Sequence, residues 1–139
     1  MTKETDLTLS DGRTLHVYDT GADHARLTVF WHHGTPNTGA PPEPLFPAAA
    51  ARGIRWVSHD RPGYGPSTPK PGRDVAAVAA DVASIADALG IGRFAVMGHS
   101  GGGPHALACG ACYLSVWWPW SPGQEPLRLP PRAWTGSLA

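Results

Sequence analysis

Five residues, Gly98-His99-Ser100-Gly101-Gly102, place a serine with a glycine two positions away on each side. The run follows the apolar residues 94–97 and precedes the small residues 103–111, a context that predicts a strand, a sharp turn and a helix. Such a turn lifts the serine hydroxyl above the carboxyl end of a strand and near the positive end of a helix, where it can attack a carbonyl carbon. The alternative is a glycine-rich turn that only lets strand and helix pack closely.

A second motif, His33-Gly34-Thr35-Pro36, follows the apolar residues 27–32. Acyl transfer requires N–H groups aimed at the carbonyl oxygen that becomes negative. We expect the backbone amides of Thr35 and Gly101 to supply them, with Gly34 permitting close approach and Pro36 stiffening the loop. The alternative for a His-Gly pair taken alone is a structural turn. His33 and His99 are interpreted as structural parts of the two turns.

A serine hydroxyl needs a base that accepts its proton and an acid that orients the base. After Ser100 the sequence contains one histidine, His105, and one acidic residue, Glu125. His105 lies only five residues on, in the predicted helix, and is not expected to reach the hydroxyl, so the set is incomplete. Cys109 and Cys112 form C-x-x-C without a second pair of ligands, and neither a metal nor a cofactor is expected.

Strand and helix patterns alternate up to about residue 111 and predict an α/β fold: an antiparallel hairpin, then parallel strands with flanking helices. The hairpin should pair residues 7–9 with 14–18 around Asp11-Gly12. Continuous apolar runs predict buried strands over residues 27–32, 54–58 and 94–97. Helices are predicted over residues 44–52, ended by Gly53, over residues from the N-cap Asp74 to Gly90, and over residues 103–111.

Composition excludes several classes of function. The 139 residues are enough for one core, and the 11 basic residues equal the 11 acidic ones, so we expect neither nucleic acid nor an anionic membrane as a partner. No apolar run of about 18 residues is present, and residues 1–10 do not resemble a signal peptide. Two cysteines favour a reducing, cytoplasmic location. The oligomeric state stays open.

A third motif, Asp60-Arg61-Pro62-Gly63-Tyr64-Gly65, follows the strand predicted at residues 54–58. The three motifs in this order resemble the α/β-hydrolase family over about residues 5–111, most closely the bacterial branch of proline iminopeptidase-like enzymes and esterases. The resemblance implies that Ser100 is the nucleophile, that the Thr35 and Gly101 amides form the oxyanion hole, and that residues 60–65, beginning at Asp60, buttress the site. Epoxide hydrolases and haloalkane dehalogenases of this family use aspartate, so serine implies a small ester, thioester or peptide-like substrate.

From Cys112 the pattern changes, because residues 112–139 hold four of the six tryptophans and a third of the prolines without helical or strand periodicity. We therefore divide the chain into residues 1–111, the N-terminal portion of an incomplete α/β-hydrolase fold, and residues 112–139, an aberrant, irregular tail. Shifting the reading frame across residues 116–121 gives an apolar, strand-like segment, so we hypothesise a frameshift near residues 109–112. An in-frame gene without a downstream coding match would falsify this, and a divergent tail is the alternative.

Three interpretations of function follow. The first is a serine hydrolase of the α/β fold that cleaves acyl bonds without a cofactor. The second is a catalytically inactive remnant or a non-catalytic binding protein that lacks the acid and histidine. The third is a chain whose fold and catalytic set are completed by a separate polypeptide.

Overall fold

The computed structural model describes residues 2–21 and 25–113. The tail predicted over residues 112–139 therefore lies outside the described residues, apart from Cys112 and Tyr113. These two residues continue the last helix beyond the predicted boundary at residue 111.

Five strands form one mixed sheet in the order β1-β2-β4-β3-β5. The first two strands pair antiparallel, β2 also runs antiparallel to β4, and β3 lies between the parallel strands β4 and β5. This arrangement confirms the predicted α/β fold. The strands are β1 (Lys3–Thr8), β2 (Thr14–Asp19), β3 (Leu27–His32), β4 (Ile54–His59) and β5 (Phe94–Gly98).

The hairpin turns where the sequence predicts it, with Gly12 at a φ of 82° and its amide donating to the Leu9 carbonyl at 3.0 Å. Its first strand is longer than predicted, because pairing extends from Thr8 opposite Thr14 back to Lys3 opposite Asp19. The polar start of β1 is solvent-exposed. The apolar residues 7–9 therefore predicted only the end of the strand that lies against the core.

The helices are α1 (Phe46–Ala50), α2 (Ala77–Ala88) and α3 (Gly103–Tyr113), with short 3-10 turns at Glu43–Leu45 and Ser100–Gly102. The Asp74 carboxylate accepts a hydrogen bond from the Ala77 amide at 2.8 Å, as a helix cap does. Regular helix begins only at Ala77, however, and Val75 is 43% exposed rather than part of the buried stripe. Gly90 follows the helix at a φ of 65°.

Helices cover both faces of the sheet. On one face α2 and α3 bury a core that includes Phe30, Val57 and Ile85, and on the other α1 covers Val29 and Trp56. Strand β3 is thus buried on both sides, which explains its uninterrupted apolar sequence. Among the described residues no helix has the length and hydropathy needed to cross a bilayer.

A buried ion pair ties the hairpin to α2. The Arg13 guanidinium donates to Asp81 at 2.6 Å, and the carboxylate side chain is only 2% exposed. The hydrogen bond to Asp81 raises the pKa of Arg13. This contact joins residues far apart in the sequence, one immediately before β2 and the other in α2.

Candidate active site

Ser100 occupies a strained bend between β5 and α3. Its φ is 51°, and among the described residues no other non-glycine residue has a positive φ. A non-glycine residue held in this region costs about 1–3 kcal/mol, and such residues cluster at functional sites. Ser100 is solvent-exposed just beyond the carboxyl end of β5, which runs parallel to β3.

The two flanking glycines are required by contact with backbone. A Cβ atom on Gly98 would overlap the carbonyl oxygen of Gly102, and one on Gly102 would overlap the carbonyl oxygen of His32. Real Cβ atoms do not approach backbone so closely, and backbone cannot rotate away as a flexible side chain can. The spacing of glycines around Ser100 therefore reflects steric exclusion on both sides of the bend.

The loop over residues 33–36 lies directly beside Ser100. A Cβ atom on Gly34 would be 3.3 Å from the Ser100 Cβ, and one on Gly101 would be 3.6 Å from the Thr35 amide nitrogen. Pro36 follows a cis peptide bond, and the Thr35 hydroxyl lies 2.9 Å from the Tyr64 hydroxyl. The structure thus brings Ser100 together with the backbone of Thr35 and Gly101, the two residues predicted to supply N–H donors.

The loop over residues 60–65 contacts the loops that lie beside Ser100. The buried Asp60 carboxylate accepts the Gly39 amide, and a Cβ on Gly65 would overlap it. The Arg61 amide donates to Nε2 of His33 at 3.2 Å, and the Arg61 guanidinium donates to the His33 carbonyl. The Asp60 carboxylate therefore contacts the backbone of two neighbouring loops, and its supporting role at the site stays a prediction.

The histidines near Ser100 are engaged elsewhere. His33 donates from Nδ1 to the Gly34 carbonyl at 2.9 Å and accepts the Arg61 amide at Nε2, so both ring nitrogens are occupied. Burial lowers the pKa of His33. The exposed His99 ring stacks on Trp31, with centroids 6.3 Å apart. Among the described residues neither ring forms a hydrogen bond with Ser100. The structural roles assigned to these histidines stay predictions.

His105 lies buried on α3, and its Nδ1 has no hydrogen-bond partner among the described residues. Burial, followed by the charge of Arg61, lowers its pKa. Within the described residues no hydrogen bond joins His105 to a carboxylate or to Ser100. Glu125 lies outside them.

Sequence reasoning missed a pair of buried histidines beneath the bend. His32 and His59 end the adjacent parallel strands β3 and β4, are each 1% exposed, and have ring centroids 6.3 Å apart. None of their ring nitrogens has a hydrogen-bond partner among the described residues. The His32 carbonyl accepts the His99 amide at 3.1 Å, which connects this pair to the bend. Because each histidine ends a continuous apolar strand, the sequence could have predicted that both side chains are buried.

We expect this histidine pair to make the fold acid-labile. Burial lowers the pKa of His32 from 6.5 to about 4 and that of His59 well below 6.5. Both rings are neutral when folded and take up protons on unfolding, so stability is complete above about pH 6.5 and falls as pH drops toward 4. For His32 alone the loss approaches roughly 3 kcal/mol.

Urea unfolding at pH 7.5, 6.5 and 5.5 measures this effect above the range in which ordinary carboxylates titrate. His32→Leu should flatten the pH dependence, whereas the exposed His99→Asn should retain it. Equal unfolding free energies for the wild-type chain at pH 7.5 and 5.5 would contradict the prediction.

Two cavities in the described part of the chain lie away from Ser100. One of about 240 Å³ is found at the opposite end of the sheet, lined partly by Arg26, Arg55 and Arg93. The other, of about 170 Å³, lies between β5 and α3. In this second region Cys109 is buried, which raises the pKa of its thiol to about 12, whereas Cys112 is exposed. Both cysteines are free, and the described residues contain no cluster of three metal-binding side chains.

Comparison with known proteins shows the family to which this chain belongs. A sequence model of the alpha/beta hydrolase fold matches residues 28–113, and the chain therefore belongs to the α/β-hydrolase family. It is similar to the non-heme chloroperoxidase of Streptomyces lividans, 36% identical over 98 residues. It is also similar to the bifunctional esterase/perhydrolase of Acinetobacter calcoaceticus, 35% identical over 98 residues. Each alignment covers 70% of this chain and 35% of the relative.

Solved structures show the same fold. Cfl2 from Burkholderia cenocepacia superposes with a TM-score of 0.69 at 26% identity, covering 88% of this chain and 47% of that one. An epoxide hydrolase from an endophytic Streptomyces gives a TM-score of 0.65 at 28% identity, covering 79% and 33%. The predicted family is confirmed, and the chain spans about a third of the length of the curated relatives it matches.

Proposed function

We propose that Ser100 is the nucleophile of a serine hydrolase acting on small acyl compounds. The observation that carries the proposal is the strained, exposed bend at Ser100, with a φ of 51° between two glycines that have no room for a Cβ atom. A structural turn has no need for a strained serine, because a third glycine would adopt this φ without cost. The strain is consistent with a hydroxyl held in position for attack.

In the proposed reaction the Ser100 oxygen attacks the carbonyl carbon while a base accepts the hydroxyl proton. The negative oxygen of the tetrahedral intermediate accepts hydrogen bonds from the Thr35 and Gly101 amides, whose backbones are adjacent in this fold. The leaving group departs with a proton, and water then hydrolyses the acyl-enzyme. An ester is the favoured substrate class, supported by serine at the bend and by the esterase activity named for the Acinetobacter relative.

The second candidate function is acyl binding or a single acylation without turnover. It is favoured by the state of the histidines: both nitrogens of His33 are hydrogen-bonded, and His105 is buried on α3. Among the described residues no imidazole forms a hydrogen bond with the Ser100 hydroxyl, and the base that the reaction needs is not identified in this part of the chain. We propose on this ground that residues 1–111 correspond to an N-terminal portion of the family fold that needs further residues for turnover.

Labelling with a fluorophosphonate probe, combined with hydrolysis of p-nitrophenyl acetate, tests both candidates. We expect the probe to modify Ser100 and Ser100→Ala to abolish labelling. Ser84→Ala is the matched control, because Ser84 is an exposed serine on α2 whose hydroxyl donates a hydrogen bond to the Ala80 carbonyl. This variant should label at the wild-type rate.

The outcomes separate the candidates. Steady ester turnover that falls by about 10³-fold or more in Ser100→Ala establishes the hydrolase, since nucleophile removal has effects of this size or larger. Labelling of Ser100 without steady turnover establishes the acyl-trapping alternative. A folded wild-type chain that takes up no probe rules out Ser100 as a nucleophile.

A further inference from the structure

The side-chain hydroxyl of Thr35 lies beside the bend at Ser100. A Cβ atom on Gly101 would be 3.2 Å from Oγ1 of Thr35, which is closer than the 3.6 Å to the Thr35 amide nitrogen. The amides of Thr35 and Gly101 are the two donors that the proposed function aims at the negative oxygen. The Thr35 hydroxyl therefore lies next to Gly101 together with the Thr35 amide, where a third donor would also serve.

The Thr35 hydroxyl is hydrogen-bonded to the Tyr64 hydroxyl, with the two oxygens 2.9 Å apart. Either oxygen can donate in this geometry, but a phenol is more acidic than an aliphatic alcohol and is therefore the better donor. The hydrogen bond with Thr35 lowers the pKa of Tyr64, and Arg61 lowers it further. When the phenol donates, Oγ1 of Thr35 accepts, and the proton of the Thr35 hydroxyl stays available for another acceptor.

Tyr64 is fixed in place by its backbone and by its ring. Its amide donates to the Arg61 carbonyl at 2.8 Å, and its carbonyl accepts the Ser67 amide at 3.1 Å. The ring meets the His33 ring edge to face, with centroids 4.7 Å apart, and the Arg61 guanidinium carbon lies 5.0 Å from the ring centroid. A phenol held in this way can select one rotamer of the exposed Thr35 side chain.

We propose that Tyr64 is a positioning residue that acts through Thr35, directing the Thr35 hydroxyl into the oxyanion hole as a third donor. This inference rests on the proposed function of Ser100. The carbonyl oxygen of a bound substrate is neutral, whereas the oxygen of the tetrahedral intermediate is charged and accepts stronger hydrogen bonds. The effect of Tyr64 should therefore appear in the rate of acylation rather than in binding.

The fluorophosphonate probe separates these two quantities. Ser100 attacks the phosphorus atom and displaces fluoride, and the phosphoryl oxygen gains negative charge in the transition state as a carbonyl oxygen does. Labelling is measured over a range of probe concentrations. The half-saturating concentration then reports binding of the probe, and the maximal rate reports the reaction of Ser100 with it.

Three substitutions remove or retain the two hydroxyls. Tyr64→Phe keeps the ring and should lower the maximal rate about tenfold at an unchanged half-saturating concentration, the loss expected for one hydrogen bond. Thr35→Val keeps the shape of the side chain without its hydroxyl and should lower the maximal rate about tenfold or more. Thr35→Ser retains the hydroxyl and should keep most of the wild-type rate.

A matched control and a double variant separate positioning from general support. Tyr113→Phe also removes one phenolic hydroxyl, which donates to the Ala79 carbonyl at 2.8 Å, and should label at the wild-type rate. The double variant Tyr64→Phe/Thr35→Val should react as fast as Thr35→Val alone, because Tyr64 has no hydroxyl left to position. Urea unfolding establishes that each variant is folded.

Each contrary result has a distinct meaning. Equal maximal rates for the wild-type chain and Tyr64→Phe would overturn the inference and leave Ser100 as the nucleophile. Additive losses in the double variant would also overturn it, since Tyr64 would then act independently of Thr35. A folded wild-type chain that takes up no probe would overturn the proposed function and this inference with it.

Discussion

Gly102→Ala is expected to abolish the folded bend and to unfold most of the chain. The added Cβ would overlap the carbonyl oxygens of His32 and His33 at the end of β3, the central strand of the parallel set. Forced overpacking of a buried site costs about 1–3 kcal/mol and more when backbone must move, as it must here. We expect a loss of at least about 3 kcal/mol in the free energy of unfolding, measured by urea titration, and loss of probe labelling at Ser100.

Gly103→Ala is the control one residue further on. Gly103 begins α3 at a φ of −56°, and a Cβ atom there meets nothing within 4 Å. Alanine in a compatible helical position should stabilise the chain by roughly 0.5–1 kcal/mol. If the two substitutions had similar effects, the steric explanation of the glycine pattern would be wrong.

Asp81→Asn is expected to have the second-largest effect on stability. It leaves the Arg13 guanidinium, whose side chain is 11% exposed, without its buried counter-charge. Removing one partner of a buried ion pair costs about 3–5 kcal/mol, and we expect about 3 kcal/mol because Arg13 keeps a second partner, Asp11. Thermal or urea unfolding at pH 7 measures the change.

Asp11→Asn removes the other carboxylate that contacts the same guanidinium, at 2.8 Å. Asp11 is exposed, so water and salt screen this interaction, and the unfolding free energy should barely change. Adding salt should likewise affect the Asp81 contribution little, because buried pairs are weakly screened. An effect of Asp11→Asn as large as that of Asp81→Asn would show that burial does not set the strength of this pair.

The bend at Ser100 could be predicted because it has no room for side chains at two nearby positions, so glycine must stand at both. Glycine is required at positions 98 and 102, and both positions fall within five residues. The adjacency of Thr35 and Gly101 could also be predicted, because both follow parallel strands whose carboxyl ends lie at one edge of a sheet. The roles of these residues in catalysis remain predictions.

Features that depend on tertiary packing were not predicted. Arg13 and Asp81 carry no local sign of their pairing, since it is set by how α2 lies across the hairpin. The contact between Thr35 and Tyr64 likewise depends on how two loops meet. Asp74 caps α2, as the sequence predicts. The regular helix starts later than predicted, because Val75 matches the apolar spacing of the helix but is exposed and does not contact the core.

The position of β3 has a consequence for synthesis on the ribosome. β3 pairs first with β4, but its other neighbour is β5, where Thr28 lies opposite Phe94. At about 5–20 residues per second, the nascent chain needs roughly 3–13 s between these two residues. During that interval one side of an apolar strand has no partner, and Ser100 has not yet been translated. Chaperones that bind nascent apolar segments should therefore be most important before β5 emerges.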